Sequence, residues 1–335
     1  MERNERVRRA LAGDAVDRPP ISFWWHSFTR ENAAETLAEE TADQFRRHGW
    51  DLIKIQSRAT SFAEGWGVRY RPSADPALPP VVTDRPVRAA ADLRGIRPLD
   101  PTAGALGEQL ELLRLVRRAV GADVPVLQTV FAPAMVLTYL VDPALGGGAA
   151  LPALARAGGR DVHAALGAIR DTMAAYARAC LGNGADGVFF AVKAASADVM
   201  TRAEYDEFGL PYDRDVLDAA AAGWLNMLHL CGPRLYFDVV DALPTPLVNW
   251  ALEDGNPTLA AGRDRSRRAV IGGVTPKPAL RGMSHSEVDA EVTAALAETR
   301  GVRMMVGPGC SIPPDTPAAN RRAARAAVER FRAGA

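Results

Sequence analysis

Short apolar runs alternate with helical patterns along almost the whole chain of 335 residues. Eight runs of strand length occur, at 19–25, 51–56, 124–130, 187–192, 225–230, 247–252, 269–274 and 302–306. Most are apolar at successive positions, which is typical of parallel strands buried on both faces. Helical patterns cover 32–47, 106–120, 202–222, 284–300 and 318–333, and a further long helical region is interrupted by a loop at 146–148. This alternation predicts an α/β fold, specifically a closed (β/α)8 TIM barrel.

An open doubly wound sheet is the main alternative architecture. Such sheets typically have five or six strands and often a glycine-rich phosphate-binding turn, and no GxGxxG or Walker-type motif occurs in this sequence. Because no linker-like stretch divides the chain either, we expect one barrel domain over 1–335.

Composition excludes several classes of protein. Lys plus Arg and Asp plus Glu both total 40, so no basic excess indicates a nucleic-acid partner. The first residues are charged, unlike a signal peptide, and the longest apolar stretch, 126–141, is too short and too interrupted for a membrane span. Three cysteines are too few and too odd in number for a disulfide scaffold. We therefore expect a cytoplasmic enzyme with a small-molecule substrate and no membrane or nucleic-acid partner.

The pair His229 and Cys231 is the most informative local feature. Residues two apart on a strand share one face, so both side chains project together from the end of the fifth predicted strand. Catalytic groups of barrels lie at the carboxyl ends of strands, and Cys310 follows the eighth strand. One imidazole and two thiolates form a soft, tetrahedral ligand set suited to zinc. Glu253 or Asp254 would close the site as a fourth ligand, and the alternative is ordinary packing of the histidine and the thiols.

Other candidates have both structural and functional interpretations. Asp51 is either a catalytic carboxylate or a turn cap, and Tyr139 lies in a helical pattern where a structural role is the alternative. Lys193 is a candidate anchor for an anionic substrate, and a solvated lysine is its alternative. An aromatic wall for a flat or apolar ligand is predicted from four residues, for which core packing is the alternative: Trp24, Trp25, Phe28 and Trp66.

Several phrases resemble the uroporphyrinogen decarboxylase superfamily, in the same order and over nearly the whole chain. They are PAMVLTYLVDP, FGLPYDRDVLDA and IGGVTP. The resemblance implies the (β/α)8 fold. It also implies that Asp51 corresponds to the essential aspartate of the decarboxylases and Tyr139 to an active-site tyrosine.

Two departures from the decarboxylases stand out. Their paired arginines after the first strand are replaced here by ISFWWHSFTREN, and Cys310 stands where they carry a histidine. LHLCG and VGPGCSIPPDTP are instead similar to motifs of the methylcobalamin-dependent thiol methyltransferases, of the coenzyme M type. This similarity implies zinc bound by His229, Cys231 and Cys310, a thiol acceptor, and a methyl group carried on a corrinoid of a partner protein. Asp51 would then orient the acceptor, and Trp24, Trp25 and Trp66 would face the corrinoid.

Two alternatives stay open at this point. One is a metal-independent decarboxylase of uroporphyrinogen or another acid that uses Asp51 and Tyr139. The other is a non-catalytic protein that binds a corrinoid or tetrapyrrole. The resemblance is also compatible with a homodimer.

Overall fold

The computed structural model describes residues 1–145, 150–275 and 279–331. The strands are β1 (Ile53–Ile55), β2 (Arg69–Arg71), β3 (Val81–Asp84), β4 (Val126–Phe131), β5 (Gly187–Val192), β6 (Met227–Leu230), β7 (Leu247–Trp250), β8 (Ala269–Val274) and β9 (Met304–Pro308). The helices are α1 (Arg3–Ala12), α2 (Ala34–His48), α3 (Ser61–Glu64), α4 (Gly104–Val120), α5 (Pro133–Leu140), α6 (Ala150–Gly182), α7 (Arg202–Phe208), α8 (Leu210–Ala219), α9 (Leu259–Ser266), α10 (Ala279–Gly282), α11 (His285–Thr299) and α12 (Ala318–Arg330).

Among the described residues, seven strands form one curled parallel sheet in the order β1-β4-β5-β6-β7-β8-β9. Each strand pairs with the next main-sheet strand along the chain, and α-helices lie in the connections between them except between β6 and β7, where a short 3-10 helix (Phe237–Asp241) is found. The predicted α/β alternation is therefore confirmed. The predicted bounds of β5 and β8 agree with the structure at both ends.

The first predicted strand, 19–25, is reduced to a single parallel bridge between Ile21 and Val306 of β9. Val306 donates its N–H to Pro20 and accepts one from Ser22, at 2.8 and 3.0 Å. On the other side, the Asp51 N–H donates to the Ile21 carbonyl at 2.9 Å. The segment thus lies between β9 and the residues that precede β1.

Alternation along the strands sorts the apolar residues into two clusters. The concave face of the sheet carries a cluster that includes Trp24, Leu127, Phe189 and Met227. The convex face packs against the helices, and Leu228 and Leu230 belong to that larger cluster. Since Met227 points to the concave side, the same parity directs His229 and Cys231 there as well.

Three features differ from the sequence-based expectation or fall outside it. The proline-rich segment behind β1, where the sequence predicts neither strand nor helix, contains the antiparallel pair β2–β3. The helix predicted at 202–222 is divided at Gly209, because Pro211 occupies the first turn of α8 and lacks a backbone N–H. The predicted loop at 146–148 lies outside the described residues.

None of the helices described has the length and apolar character that a membrane span requires.

Candidate metal centre

His229, Cys231 and Cys310 meet at the carboxyl edge of the sheet, as predicted. The imidazole comes from β6, one thiol from the residue that follows β6, and the other from the loop after β9. The three ligand atoms all lie within 4.8 Å of one another. Cys231 and Cys310 are 79 positions apart in sequence, and the carboxyl ends of two non-adjacent strands bring them together.

The backbone around both cysteines is tightly held. The Cys231 N–H donates to the Val192 carbonyl at 2.8 Å, and the next residue, Gly232, has a φ of 110°, a conformation that favours glycine. On the other loop, a Cβ at Gly309 would lie 2.4 Å from the Ala251 Cα. The glycine before Cys310 therefore permits close contact with the end of β7.

Asn249 fixes the orientation of the imidazole. It is fully buried on β7, opposite His229 in the strand register, and its Oδ1 lies 2.7 Å from His229 Nδ1. Its Nδ2 donates to the carbonyls of Ile271 and Pro308, at 2.7 and 3.1 Å, so Oδ1 must be the atom that faces the histidine. His229 consequently carries its proton on Nδ1, and Nε2 is left as a metal ligand.

The donor set fits zinc. Tetrahedral zinc with sulfur and nitrogen ligands at about 2.3 and 2.0 Å requires ligand atoms roughly 3.5–3.8 Å apart, so the present set needs only a small contraction. Glu253 and Asp254, the candidate fourth ligands, do not join the three-residue group in the described part of the chain. Asp254 instead lies 3.8 Å from Arg234 and is 87% exposed. Three protein ligands leave one coordination position for a substrate.

The two thiols interact directly. The hydrogen bond to Cys310, together with burial, raises the pKa of Cys231 well above its usual value, while the charge of Lys193 acts in the opposite direction. A divalent cation at this point would favour the thiolate forms of both cysteines, because coordination deprotonates a thiol. Cys180 is fully buried in α6 and takes no part in the centre.

Two cavities border the metal centre. One, of about 460 Å³, is lined by Cys231 and Lys193, and the other, of about 530 Å³, by Ser311, which follows Cys310. Tyr139 and Arg85 line both cavities. Among the described residues, no carboxylate lies within 4 Å of Lys193 or Arg85. Arg85 donates one hydrogen bond to the Tyr139 carbonyl, and the charge of both groups is left without an anionic partner there.

Tyr139, for which the resemblance implies an active-site role, lies in α5 and lines both cavities that border the metal centre. It is 38% exposed, and its ring stacks on Phe131 with centroids 5.9 Å apart. Burial of the hydroxyl, assisted by the charge of Cys231, raises the pKa of Tyr139. The phenol is therefore a neutral hydrogen-bond donor at physiological pH.

Asp51 is not part of this site, which corrects the expectation of a catalytic or acceptor-orienting carboxylate. It precedes β1 and therefore lies at the amino edge of the sheet, opposite the metal centre. Its buried oxygens accept hydrogen bonds from Arg6 and Arg18, at 2.6–2.9 Å, and from the Ile21 N–H. This carboxylate connects Arg6 of α1 to the residues around β1 through hydrogen bonds. Its role is therefore structural, closer to the turn cap than to the catalytic carboxylate.

The predicted tryptophan wall is also corrected, since none of its three tryptophans lines either large cavity. Trp24 is buried in the concave cluster against Phe189, Trp25 points to the opposite face near Arg321, and Trp66 donates to the Arg97 carbonyl. Alternation along the segment sends adjacent residues to opposite faces. Phe28, the fourth residue of the predicted wall, does line the larger cavity, together with Phe62, Phe131 and Tyr139.

A polar network beside the larger cavity was not predicted as a unit. His26 Nδ1 lies 3.1 Å from Glu31 Oε2, and His26 Nε2 lies 2.7 Å from Gln56 Nε2. Gln56 Oε1 also accepts from Lys54 and from Ser311. His26 and Gln56 could be found from their positions at strand ends, whereas Glu31 gave no signal in the sequence.

The fold and the centre define the class of protein. The profile of the family "Uroporphyrinogen decarboxylase (URO-D)" matches residues 2–331, and the chain belongs to this family.

Its similarity extends to individual family members. The methylcobamide:CoM methyltransferase MtbA of Methanosarcina acetivorans is 24% identical over 333 residues, with 94% of each chain covered. A uroporphyrinogen decarboxylase of Mycobacterium sp. (strain KMS) is 29% identical, covering 74% of this chain and 70% of its own. A solved methyltransferase from Methanosarcina mazei superposes with a TM-score of 0.85 over 99% of both chains, at 22% identity. The matches confirm the expected family and the expectation of an enzyme, and both methyltransferases and a decarboxylase are among the similar proteins.

Proposed function

We propose that this protein is a zinc-dependent methyltransferase that moves a methyl group from a corrinoid to a small thiol. The observation that carries the proposal is the convergence of His229, Cys231 and Cys310 within 4.8 Å, with a coordination position left over. The name of the Methanosarcina acetivorans relative, a methylcobamide:CoM methyltransferase, supports the same donor and acceptor classes.

His229 Nε2 and the thiolates of Cys231 and Cys310 would hold the zinc. When bound, zinc lowers the pKa of an acceptor thiol, so that the sulfur is a thiolate at neutral pH. Asn249 keeps the imidazole in the coordinating tautomer. The overall reaction forms a bond between the acceptor sulfur and the methyl carbon and breaks the bond from carbon to cobalt, whose electron pair stays with the corrinoid.

The chain also offers groups that would bind an acceptor. Arg85 and Lys193 border the cavity that Cys231 lines, and they suit an acidic group on the acceptor. Tyr139 stands between the two cavities and would donate a hydrogen bond to a substrate in either. The corrinoid would be presented by a partner protein, and a homodimer stays a prediction.

We further infer that the sheet closes into an eight-stranded barrel through the segment around Ile21. The support is its pairing with β9 on one side and its hydrogen bond from Asp51 on the other. Closure would enclose the concave apolar cluster and make the carboxyl edge the mouth of the barrel, where such enzymes carry their active sites.

Metal content is the first test. We expect about one zinc per chain in purified protein, loss of the metal in the double variant Cys231→Ser/Cys310→Ser, and its retention in Cys180→Ala, the matched control in α6. Wild-type protein that stays metal-free after incubation with zinc would contradict the proposal. The zinc-loaded enzyme should also demethylate methylcobalamin when a thiol such as 2-mercaptoethanol is supplied, as followed by the cobalamin absorbance.

The metal-independent decarboxylase is not supported by the geometry. Its presumed aspartate, Asp51, is buried at the opposite edge of the sheet in contact with two arginines. Incubation with uroporphyrinogen should therefore form no product that has lost a carboxylate group.

A further inference from the structure

Lys54 is a buried cation without a carboxylate partner. It lies on β1 with 5% of its surface exposed, and among the residues described no carboxylate oxygen is within 4 Å of its ammonium group. Its ammonium donates to Gln56 Oε1 and lies 4.4 Å from the centroid of the Phe189 ring. Since burying an unpaired charge is costly, a lysine at such a position either loses its proton or keeps its charge through a negative group nearby.

The metal centre lies one aromatic ring away from Lys54. Phe189, whose ring contacts Lys54, stacks on the imidazole of His229 with centroids 5.0 Å apart. Burial lowers the pKa of Lys54 to about 7, and the charge of Cys310 acts against this effect. Phe189 therefore separates Lys54 from the ligand His229, and Lys54 lines neither of the two large cavities.

A chain of hydrogen bonds fixes the lysine from the other side. Lys54 can only donate, so Gln56 turns its oxygen toward it and its amide N–H toward His26 Nε2, at 2.7 Å. His26 must then carry its proton on Nδ1, where it donates to Glu31 at 3.1 Å. Glu31 is 2% exposed and also accepts from the Ala59 N–H. Each member of this chain has one possible orientation.

We propose that Lys54 is a positioning residue whose positive charge stabilises thiolate at the metal centre, and that Glu31, His26 and Gln56 hold it in place. The inference rests on the proposed function. A divalent metal with two cysteine thiolates and a neutral imidazole is uncharged, and an acceptor thiolate makes the centre singly negative. Lys54 supplies the one charge that balances this state, and so favours binding of the acceptor as thiolate rather than as thiol.

The test uses Co²⁺-loaded protein and 2-mercaptoethanol as the thiol probe, read from the sulfur-to-cobalt charge-transfer absorbance. Lys54→Met, which keeps the length but removes the charge, is expected to weaken probe binding about tenfold, the size of a partly buried charge–charge interaction. Lys54→Arg keeps the charge and should restore most of the affinity. Gln56→Met keeps the lysine but cuts the chain to His26, and should weaken binding several-fold. Unchanged affinity in both Lys54→Met and Gln56→Met would overturn the inference.

A second measurement separates this inference from the proposed function. If wild-type protein takes up no Co²⁺, the zinc proposal fails, and iodoacetamide alkylation of metal-free protein then decides the role of Lys54. Peptide mass spectrometry follows Cys231 and Cys310, with buried Cys180 as the internal reference. Slower alkylation of Cys231 and Cys310 in Lys54→Met supports a charge that stabilises their thiolates. Equal rates in Lys54→Met and wild type exclude it.

Discussion

Replacing Asn249 by leucine should weaken metal binding without removing any ligand. The amide is fully buried, accepts from His229 Nδ1 at 2.7 Å and donates to two backbone carbonyls. Loss of such a partner typically costs a factor of about 10–100 in metal affinity, which corresponds to about 1.4–2.7 kcal/mol. The imidazole N–H left without an acceptor should also cost about 1–3 kcal/mol of folding stability. Competition with a chromophoric chelator measures the first effect, and urea unfolding of metal-free protein measures the second.

Asn226 provides a matched control for this experiment. It is also a buried asparagine, 4% exposed, but it precedes β6 at the amino edge, where it accepts from the Val188 N–H and donates to the Ala220 carbonyl. Asn226→Leu should lose a similar amount of stability and bind zinc as tightly as wild type. Equal weakening of zinc binding in both variants, or none in Asn249→Leu, would refute the argument that Asn249 orients the ligand.

Three further predictions concern the scaffold. Gly309→Ala places a methyl 2.4 Å from backbone, so it should lower the free energy of unfolding in urea by about 1–3 kcal/mol and weaken zinc binding. Gly167→Ala, in open space on α6, should be neutral or stabilising. Equal free energies of unfolding for the two variants would contradict this prediction. Asp51→Ala leaves two arginines without their buried partner, so it should lower folding stability by about 3–5 kcal/mol while zinc affinity is retained. A folded variant that loses zinc would show that Asp51 belongs to the metal site. Burial raises the pKa of Asp213 to about 7, so the folded state binds more protons than the unfolded state between about pH 4 and 7 and its stability falls as the pH rises. Asp213→Asn should therefore gain stability over wild type at pH 8 but not at pH 4, and a gain independent of pH would exclude this cause.

The strands could be predicted where both faces are apolar over the whole run. β5 and β8 are of this kind, and their predicted bounds agree with the structure. The run at 19–25 is equally apolar, yet only Ile21 forms a bridge. Apolar sequence determines burial, but ladder pairing also needs backbone N–H groups, and two prolines begin this run. Hydrophobicity alone therefore overestimated the strand.

The metal ligands were predictable because two simple geometric rules act on them directly. The spacing of two residues places His229 and Cys231 on one face, and the strand-end rule brings Cys310 to the same edge. The same rule, applied to Asp51, places it at the start of its strand and hence at the opposite edge. The residue type left Asp51 as either a catalytic carboxylate or a turn cap, and the resemblance implied the catalytic role. The structure instead agrees with its position before β1.

Lys54 and Asn249 could not be predicted, because their roles depend on which strands are neighbours. Asn249 serves His229 only because β6 and β7 pair in the register that sets the two residues opposite each other. Lys54 reaches the centre through Phe189, a residue of a strand two positions away in the sheet. A single sequence gives the parity of each residue but not the register between strands.

The concave face nevertheless carries a pattern that explains where chemistry is located. Toward the amino edge its side chains are apolar, as at Leu52, Leu127, Met227 and Leu247. One step further along the same strands come the buried polar groups Lys54, Thr129, His229 and Asn249. Buried polar groups cost free energy unless they are paired, so their concentration on the concave face toward the carboxyl edge is not explained by folding alone. The apolar cluster toward the amino edge is closed to water, and among the polar groups Asn249 orients the ligand His229. Substitution of Leu52, Leu127 or Leu247 should therefore mainly lower folding stability. Substitution of the buried polar groups should mainly change metal or thiol binding, at a smaller cost in stability.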